Sequence, residues 1–263
     1  MLYWLAKFVL IGPLLRLVWR PYAEGIENVP DGPVIVASNH QSFCDSLFMP
    51  LVVPRRVTFL AKAEYFTTPG LKGRLSRMFF TALGQVSVDR DDPDAARAAL
   101  TTGVRLLGQG ALLGVYPEGT RSPDGRLYRG KTGVARMALE AGVPVVPCAM
   151  IDTIKIQPSG RRIPKLRPRP GVRFGKALDF SRYEGMSGDR FVERSITDEI
   201  MYELMQLSGQ EYVDVYAAKI KKALGPSNAF GAQHAARTQQ LAGVQGPNEL
   251  REAADRIPTE RAG

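Results

Sequence analysis

Histidine and cysteine are scarce in this chain of 263 residues, with two of each. His40 and His234 cannot build a histidine-rich metal site, and Cys44 and Cys148 are too few for a disulfide framework or a zinc cluster. Both cysteines sit in apolar stretches, which suits a reducing compartment. Acidic residues are in the minority, 26 against 35 basic ones, for a formal charge of +9 and a pI near 9.7. That excess favours a polyanionic partner: anionic lipid, nucleic acid, an acidic carrier protein or a phosphorylated substrate. Also missing is an uninterrupted apolar run of spanning length. In Met1–Arg20 the apolar residues are broken by Lys7, Gly12-Pro13 and Arg16, whereas a span asks for ~20 in succession. No basic residue precedes this run and no small-x-small site follows it, so it does not read as a cleavable signal.

What is there is a chain of three parts. Met1–Arg20, with Trp4 and Trp19 near its ends, reads as two short membrane-associating helices lying in one leaflet with their tryptophans at headgroup level. Residues 21–224 alternate β-rich and helical patterns. Strands are expected at Pro33–Ser38, Val57–Ala61, Gln85–Asp89, Ala111–Tyr116, Val143–Met150 and Gly171–Phe174. Helices are expected at Ser46–Val53, Gly70–Leu83, Pro93–Gln109, Thr132–Ala141, Asp189–Leu207 and Glu211–Leu224. This alternation predicts an α/β fold with a mixed, mostly parallel sheet flanked by helices. Residues 225–263 have little apolar periodicity and read as a loose tail. Between Lys155 and Lys176 lie Arg161, Arg162, Lys165, Arg167, Arg169 and Arg173 without an acid among them, a solvated basic loop or a surface for a polyanion.

The chemistry gathers where strands end. His40 follows the first apolar strand, and Asp45 comes five residues later. Five residues along a helix turn through about 500°, so the two side chains meet only if His40 lies in the turn and Asp45 opens the helix. Asp45 could then accept from one ring nitrogen and leave the other free to take a proton. Gly84-Gln-Val-Ser-Val-Asp89-Arg90 and Val115-Tyr-Pro-Glu118-Gly119-Thr120-Arg121-Ser122 close two further strands, and Val143-Pro-Val-Val-Pro147 forms another. Arg90 and Arg121 are of the residue type that grips phosphate with two parallel bonds. Cys44, beside Phe43 and Leu47, reads as a core thiol rather than a nucleophile. Gly125-Arg-Leu-Tyr-Arg-Gly130-Lys131-Thr132 matches the nucleotide P-loop pattern literally, but Ser122-Pro-Asp-Gly125 reads as a turn where a strand should enter it.

In their order, Asn39-His40-x4-Asp45, Gly84…Val88-Asp89-Arg90, Pro117-Glu118-Gly119-Thr120-Arg121-Ser122 and Val143–Pro147 resemble the four sequence blocks of the glycerolipid (lysophosphatidic acid) acyltransferases, across roughly Pro21 to Tyr183. Phe59-Leu60-Ala61-Lys62-Ala63-Glu64 resembles the Ala-Lys-x-Glu segment between the first two blocks. Ser87 and Tyr116 depart from the usual bulky apolar residue and Phe. The resemblance implies a His40–Asp45 pair that activates an acceptor hydroxyl against an acyl thioester. It also implies that Arg90, Glu118, Gly119 and Arg121 line an acceptor-phosphate site, and Lys62 and Lys131 are placed with them. The expected reaction converts lysophosphatidic acid to phosphatidic acid, with glycerol 3-phosphate or a phospho-glycolipid as alternative acceptors. Expected partners are acyl-CoA or acyl carrier protein as co-substrate, a lysophospholipid acceptor and a membrane phospholipid surface, with no bound cofactor, no metal and no nucleic acid. The expected location is the cytoplasmic face of the cell membrane, held peripherally or monotopically. A non-catalytic lipid-binding protein on the same fold is the reading from another class.

Overall fold

Val34-Ile-Val-Ala-Ser is too apolar to face water on either side, and it forms β2 (Val34–Ser38), buried throughout. In the computed structural model, which describes residues 2–88, 95–158, 161 and 163–224, this strand lies inside a seven-stranded sheet. The other strands are β1 (Tyr22–Glu24), β3 (Val57–Lys62), β4 (Gln85–Val88), β5 (Leu112–Val115), β7 (Val145–Ile151) and β8 (Gly171–Phe174). Their order is β1-β8-β7-β2-β5-β3-β4. All pairings are parallel except β7 with β8. A parallel sheet sends the carboxyl ends of its strands to one edge, so the chain segments after β2, β3, β5 and β7 emerge together there. The His40–Asp45 and Pro117–Ser122 blocks follow β2 and β5 at that edge, whereas Val143–Pro147 leads into β7.

Alternate residues of β2 serve two cores. Val34 and Val36 pack with Phe48, Met49, Phe59, Val146 and Val172 on one face. Ile35 and Ala37 pack with Leu113, Val134, Ile196, Ile200 and Leu204 on the other. The helices that cover these faces include α3 (Asp45–Val52), α6 (Ala95–Gly108), α7 (Gly133–Ala141) and α9 (Arg190–Ser208), with α4 (Glu64–Thr67), α5 (Gly70–Ala82) and α8 (Thr153–Ile156) at the loops. α3 matters most for the site, because Asp45 is its first residue while Phe48 and Met49 anchor it in the core. Each such buried side chain contributes about 1.5–3 kcal/mol, so the start of α3 is firmly placed.

The N-terminal segment differs from the two broken helices expected. α1 (Leu2–Leu5), a π-helical turn (Ala6–Leu10) and α2 (Ile11–Trp19) run on as one helix. The Ile11 N–H reaches back to the Ala6 carbonyl, and this wider register carries the helix past Pro13, which has no N–H to give. Gly12 is required there, since a Cβ would stand 1.7 Å from the Lys7 carbonyl oxygen. The helix is long and apolar enough to cross a membrane, yet one face rests on the protein. Tyr3, Ala6 and Leu15 are buried, Lys7 donates to the Val53 carbonyl and Arg16 to that of Leu51, so both cations cap the carboxyl end of α3. Phe8, Val9, Leu10, Leu14 and Leu17 on the outer face are exposed.

The expected helix Glu211–Leu224 is β9 (Tyr212–Val213) followed by α10 (Ala217–Leu224). Its first part, Tyr-Val-Asp-Val-Tyr, is aromatic and β-branched, and it pairs as a strand with β6 (Leu127–Tyr128). The three-residue β1 was too short to carry a periodic signal. Pro147, inside the strand expected at Val143–Met150, occupies a stretch of β7 between the register Cys148↔Phe174 and the bridge Val145↔Leu178. The tail expected at 225–263 lies outside the described residues.

Candidate active site

His40 sits in the turn after β2, and Asp45 opens α3, the arrangement their spacing demanded. His40 Nδ1 and Asp45 Oδ2 are 2.9 Å apart. The same oxygen accepts the backbone N–H groups of Gln41 and Ser42 at 2.8 Å each. An oxygen gathering two N–H donors is an acceptor, so Nδ1 carries the imidazole proton and Nε2 presents its lone pair. Asp45 is fully buried, while the His40 side chain keeps 18% of its surface exposed. The His40 ring stacks on Tyr116, with centroids 3.8 Å apart and planes 10° from parallel, and the Tyr116 hydroxyl meets Ser46 Oγ at 2.9 Å. Burial lowers the His40 pKa, Asp45 opposes this, and Arg121 and Lys221 lower it further.

The loop after β5 closes over this turn. Glu118, 1% exposed, accepts from the His40 N–H at 2.9 Å and from the Tyr128 N–H at 3.0 Å. The Ser122 N–H in turn donates to the His40 carbonyl at 2.6 Å. His40 is therefore clamped on both backbone sides by one loop. Burial pushes the Glu118 carboxyl up to about 8 despite those two donors. The structure places Glu118 beneath the site with both oxygens engaged, not at the phosphate-facing surface that the resemblance implied.

Gly119 turns the chain with φ +72°, and the Lys131 side chain lies across it: a Cβ here would meet Lys131 Cε at 3.0 Å and Nζ at 3.2 Å. Arg121 is half-buried and has no carboxylate partner among the described residues. Lys221, on α10, donates to Thr120 Oγ1 at 2.9 Å. No feature of the sequence marked Lys221, since it lies 101 residues from Thr120 in a segment expected to be plain amphipathic helix. Lys62 ends β3 at the same edge; its side chain, and all of Arg90, lie outside the described residues. Below the cations opens a cleft of about 480 Å³ walled by Phe59, Tyr65, Phe80 and Met137 and reaching His40 and Arg121. A cleft with these apolar walls and Arg121 among its lining suits an amphiphile with an anionic head.

Two other readings can be tested on this geometry. The P-loop segment contains β6, and six of its eight amides are bonded elsewhere. Those of Gly125 and Arg126 are bonded within the turn to Ser122 and Asp124. Those of Leu127 and Arg129 pair with residues 211, 213 and 215, Tyr128 donates to Glu118 and Lys131 to the Pro117 carbonyl. A phosphate cradle needs those N–H groups free. Cys44 is buried, with its thiol pushed up to about 11 by burial, and its Sγ faces Gln157 Oε1 at 3.4 Å. A thiol held protonated is no nucleophile. Cys44→Ala should therefore leave turnover within about twofold of wild type; an inactive but cooperatively folded Cys44→Ala protein would point to an acyl-cysteine.

The fold and the pair together define a class: α/β proteins that present a His–Asp pair at the carboxyl edge of a mixed sheet, beside a loop that carries an arginine. Within that class the chain belongs to the acyltransferase family, whose sequence model, described as "Acyltransferase", matches residues 20–151. Curated relatives are 1-acyl-sn-glycerol-3-phosphate acyltransferases: the chloroplast LPAT1 of Arabidopsis thaliana, 39% identical over 139 residues, that of Pseudomonas aeruginosa, 32% over 136, and the human alpha form, 36% over 124. These matches cover 52%, 49% and 46% of this chain and 37%, 49% and 41% of the relatives, so the chain spans less than half the length of each. The crystal structure of the 1-acyl-sn-glycerophosphate acyltransferase PlsC of Thermotoga maritima superposes with a TM-score of 0.55 at 27% identity, over 77% of this chain and 79% of that one.

Proposed function

We propose that the protein moves a fatty acyl chain from an acyl thioester to the free hydroxyl of 1-acylglycerol 3-phosphate, forming phosphatidic acid. The carrying observation is the fixed tautomer of His40, whose ring borders a cleft that also reaches Arg121, a cation with no carboxylate partner among the described residues. Nε2 takes the hydroxyl proton as the oxygen attacks the thioester carbonyl, and Asp45 stabilises the imidazolium. The tetrahedral intermediate collapses, the C–S bond breaks, and the imidazolium returns its proton to the departing thiolate. Arg121 and Lys131 hold the acceptor phosphate, while Glu118 holds the turn that carries His40. The donor is acyl-CoA or acyl carrier protein, a choice to which the basic segment around Lys155–Lys176 is indifferent on charge alone. A panel of radiolabelled acyl transfer to 1-acylglycerol 3-phosphate, glycerol 3-phosphate and a phospho-glycolipid tests the acceptor. Preference for either alternative would refute the lysophosphatidate assignment.

The same proposal places the enzyme monotopically on the cytoplasmic face of the membrane. The exposed apolar face of the N-terminal helix is extended by Leu71, Leu75, Met78 and Phe79 of α5, which packs against α1. A continuous apolar surface of this kind marks a docking face for lipid. Deleting the helix would also uncover Leu15 and the core, so substitution is the cleaner test. The triple change Leu10→Ser, Leu14→Ser and Leu17→Ser should abolish co-sedimentation with phospholipid vesicles while thermal unfolding stays cooperative. Unchanged sedimentation would place the anchor elsewhere.

A further inference from the structure

We infer that Lys221 is a third cation of the acceptor-phosphate site, supplied by α10, so that this C-terminal helix completes a pocket whose other parts come from residues 40–131. The inference deepens the proposed function and rests on it. Its first support is placement. Lys221 donates to Thr120 Oγ1 at 2.9 Å, between Gly119, which the Lys131 side chain crosses, and Arg121. Its second support is charge. Arg121 and Lys221 repel one another, and Glu118, the carboxylate that attracts Lys221, already accepts two backbone N–H groups. A neutral hydroxyl acceptor gives no reason to hold like charges together. A phosphomonoester, with a charge of about −1.5 to −2 at neutral pH and three acceptor oxygens, does.

The third support is that the fold spends structure on keeping α10 there. β6 follows the site loop and gives its Tyr128 N–H to Glu118. β6 pairs with β9 through Leu127↔Tyr212 and Tyr128↔Val213. α10 leaves β9, buries Ala217 and Ile220 completely, and returns Lys221 to Thr120. The circuit from the loop to α10 and back fixes the ammonium relative to Arg121. Burial and Arg121 together lower the Lys221 amine to about 8, so an arriving dianion meets a group that gains by holding its proton. The charged groups facing it are Arg121 and Glu118 of the loop and His40 of the β2 turn.

The test varies 1-acylglycerol 3-phosphate and its dephosphorylated counterpart 1-acylglycerol in wild type, Lys221→Gln and Lys221→Arg, with folding checked by thermal unfolding. Wild type should prefer the phosphorylated acceptor. Lys221→Gln should raise the KM for that acceptor about 10- to 100-fold, the range for losing one charged hydrogen bond, with the thioester KM and the KM for 1-acylglycerol each shifted by far less. In wild type the acceptor KM should climb as pH rises past about 8. Lys221→Arg should flatten that climb, because arginine does not titrate there, and leave only the share that Glu118 contributes. This profile reads the proposal even if Lys221→Gln fails to fold. An unchanged acceptor KM in Lys221→Gln, a loss in the thioester KM instead, or an alkaline climb untouched in Lys221→Arg overturns the assignment of Lys221. A wild type indifferent to the phosphate overturns the phosphate site itself, and Lys221 with it.

Discussion

His40→Ala should lose roughly 10²–10⁴ in turnover, the share that a positioned general base supplies, while the affinity for the acyl thioester stays nearly unchanged. An alcohol is a poor nucleophile, and the deleted imidazole is the group that presents a lone pair at the cleft. The pH profile carries an independent signature. Burial and the neighbouring cations hold the His40 pKa below its ordinary 6.5, and a base acts in its neutral form. The acid limb of kcat/KM should therefore fall below pH 6.5, with activity lost as pH drops through it. Asp45→Asn should fall less far. All three donors converge on Asp45 Oδ2, a place the asparagine carbonyl oxygen can take, and Oδ1 has no protein partner to lose. The tautomer survives and only the charge is removed. Asp45→Ala, in contrast, strands two buried N–H groups and should also destabilise the turn by roughly 1–3 kcal/mol per orphaned group.

Arg121→Ala should raise the acceptor KM by about 10- to 100-fold and leave the thioester KM within about threefold, since a charge-assisted bond to phosphate is present in both ground and transition states. Arg121→Lys should restore only part of the loss, because an ammonium lacks the planar fork that makes two parallel bonds. Arg121 also helps to depress the His40 pKa, so the acid limb in Arg121→Ala should move upward. Steady-state kinetics with each substrate varied in turn checks both effects. An unchanged acceptor KM with a much weaker thioester KM would assign this loop to the donor.

The strands were legible because a parallel sheet buried on both faces leaves unbroken apolar runs such as Val34–Ala37 and Val145–Val146. The His40–Asp45 turn was legible because a five-residue spacing permits only one productive geometry. Less legible was anything set by contacts between distant segments. Glu118 sits in a Pro-Glu-Gly turn that the sequence marks, but whether its carboxylate faces solvent or backbone depends on Tyr128, which β9 holds from far along the chain. Lys221 is one lysine among several on a short helix, and its neighbours at Thr120 are 101 residues away. The strand at Tyr212–Val213 was hidden because two-residue pairing has no period to read. At the N-terminus Gly12-Pro13 is a helix breaker by local rule, and a π-helical turn evaded that rule by changing the hydrogen-bond register.

The central claim is direct transfer: His40 activates the acceptor hydroxyl, and no acyl-enzyme forms. Thiol release from an acyl thioester, followed in real time with and without 1-acylglycerol 3-phosphate, tests it most directly. The expected result is release that depends on the acceptor, equals the phosphatidic acid formed, and is nearly abolished in His40→Ala. A stoichiometric burst of thiol without acceptor, with the acyl group retained on the protein, would contradict it.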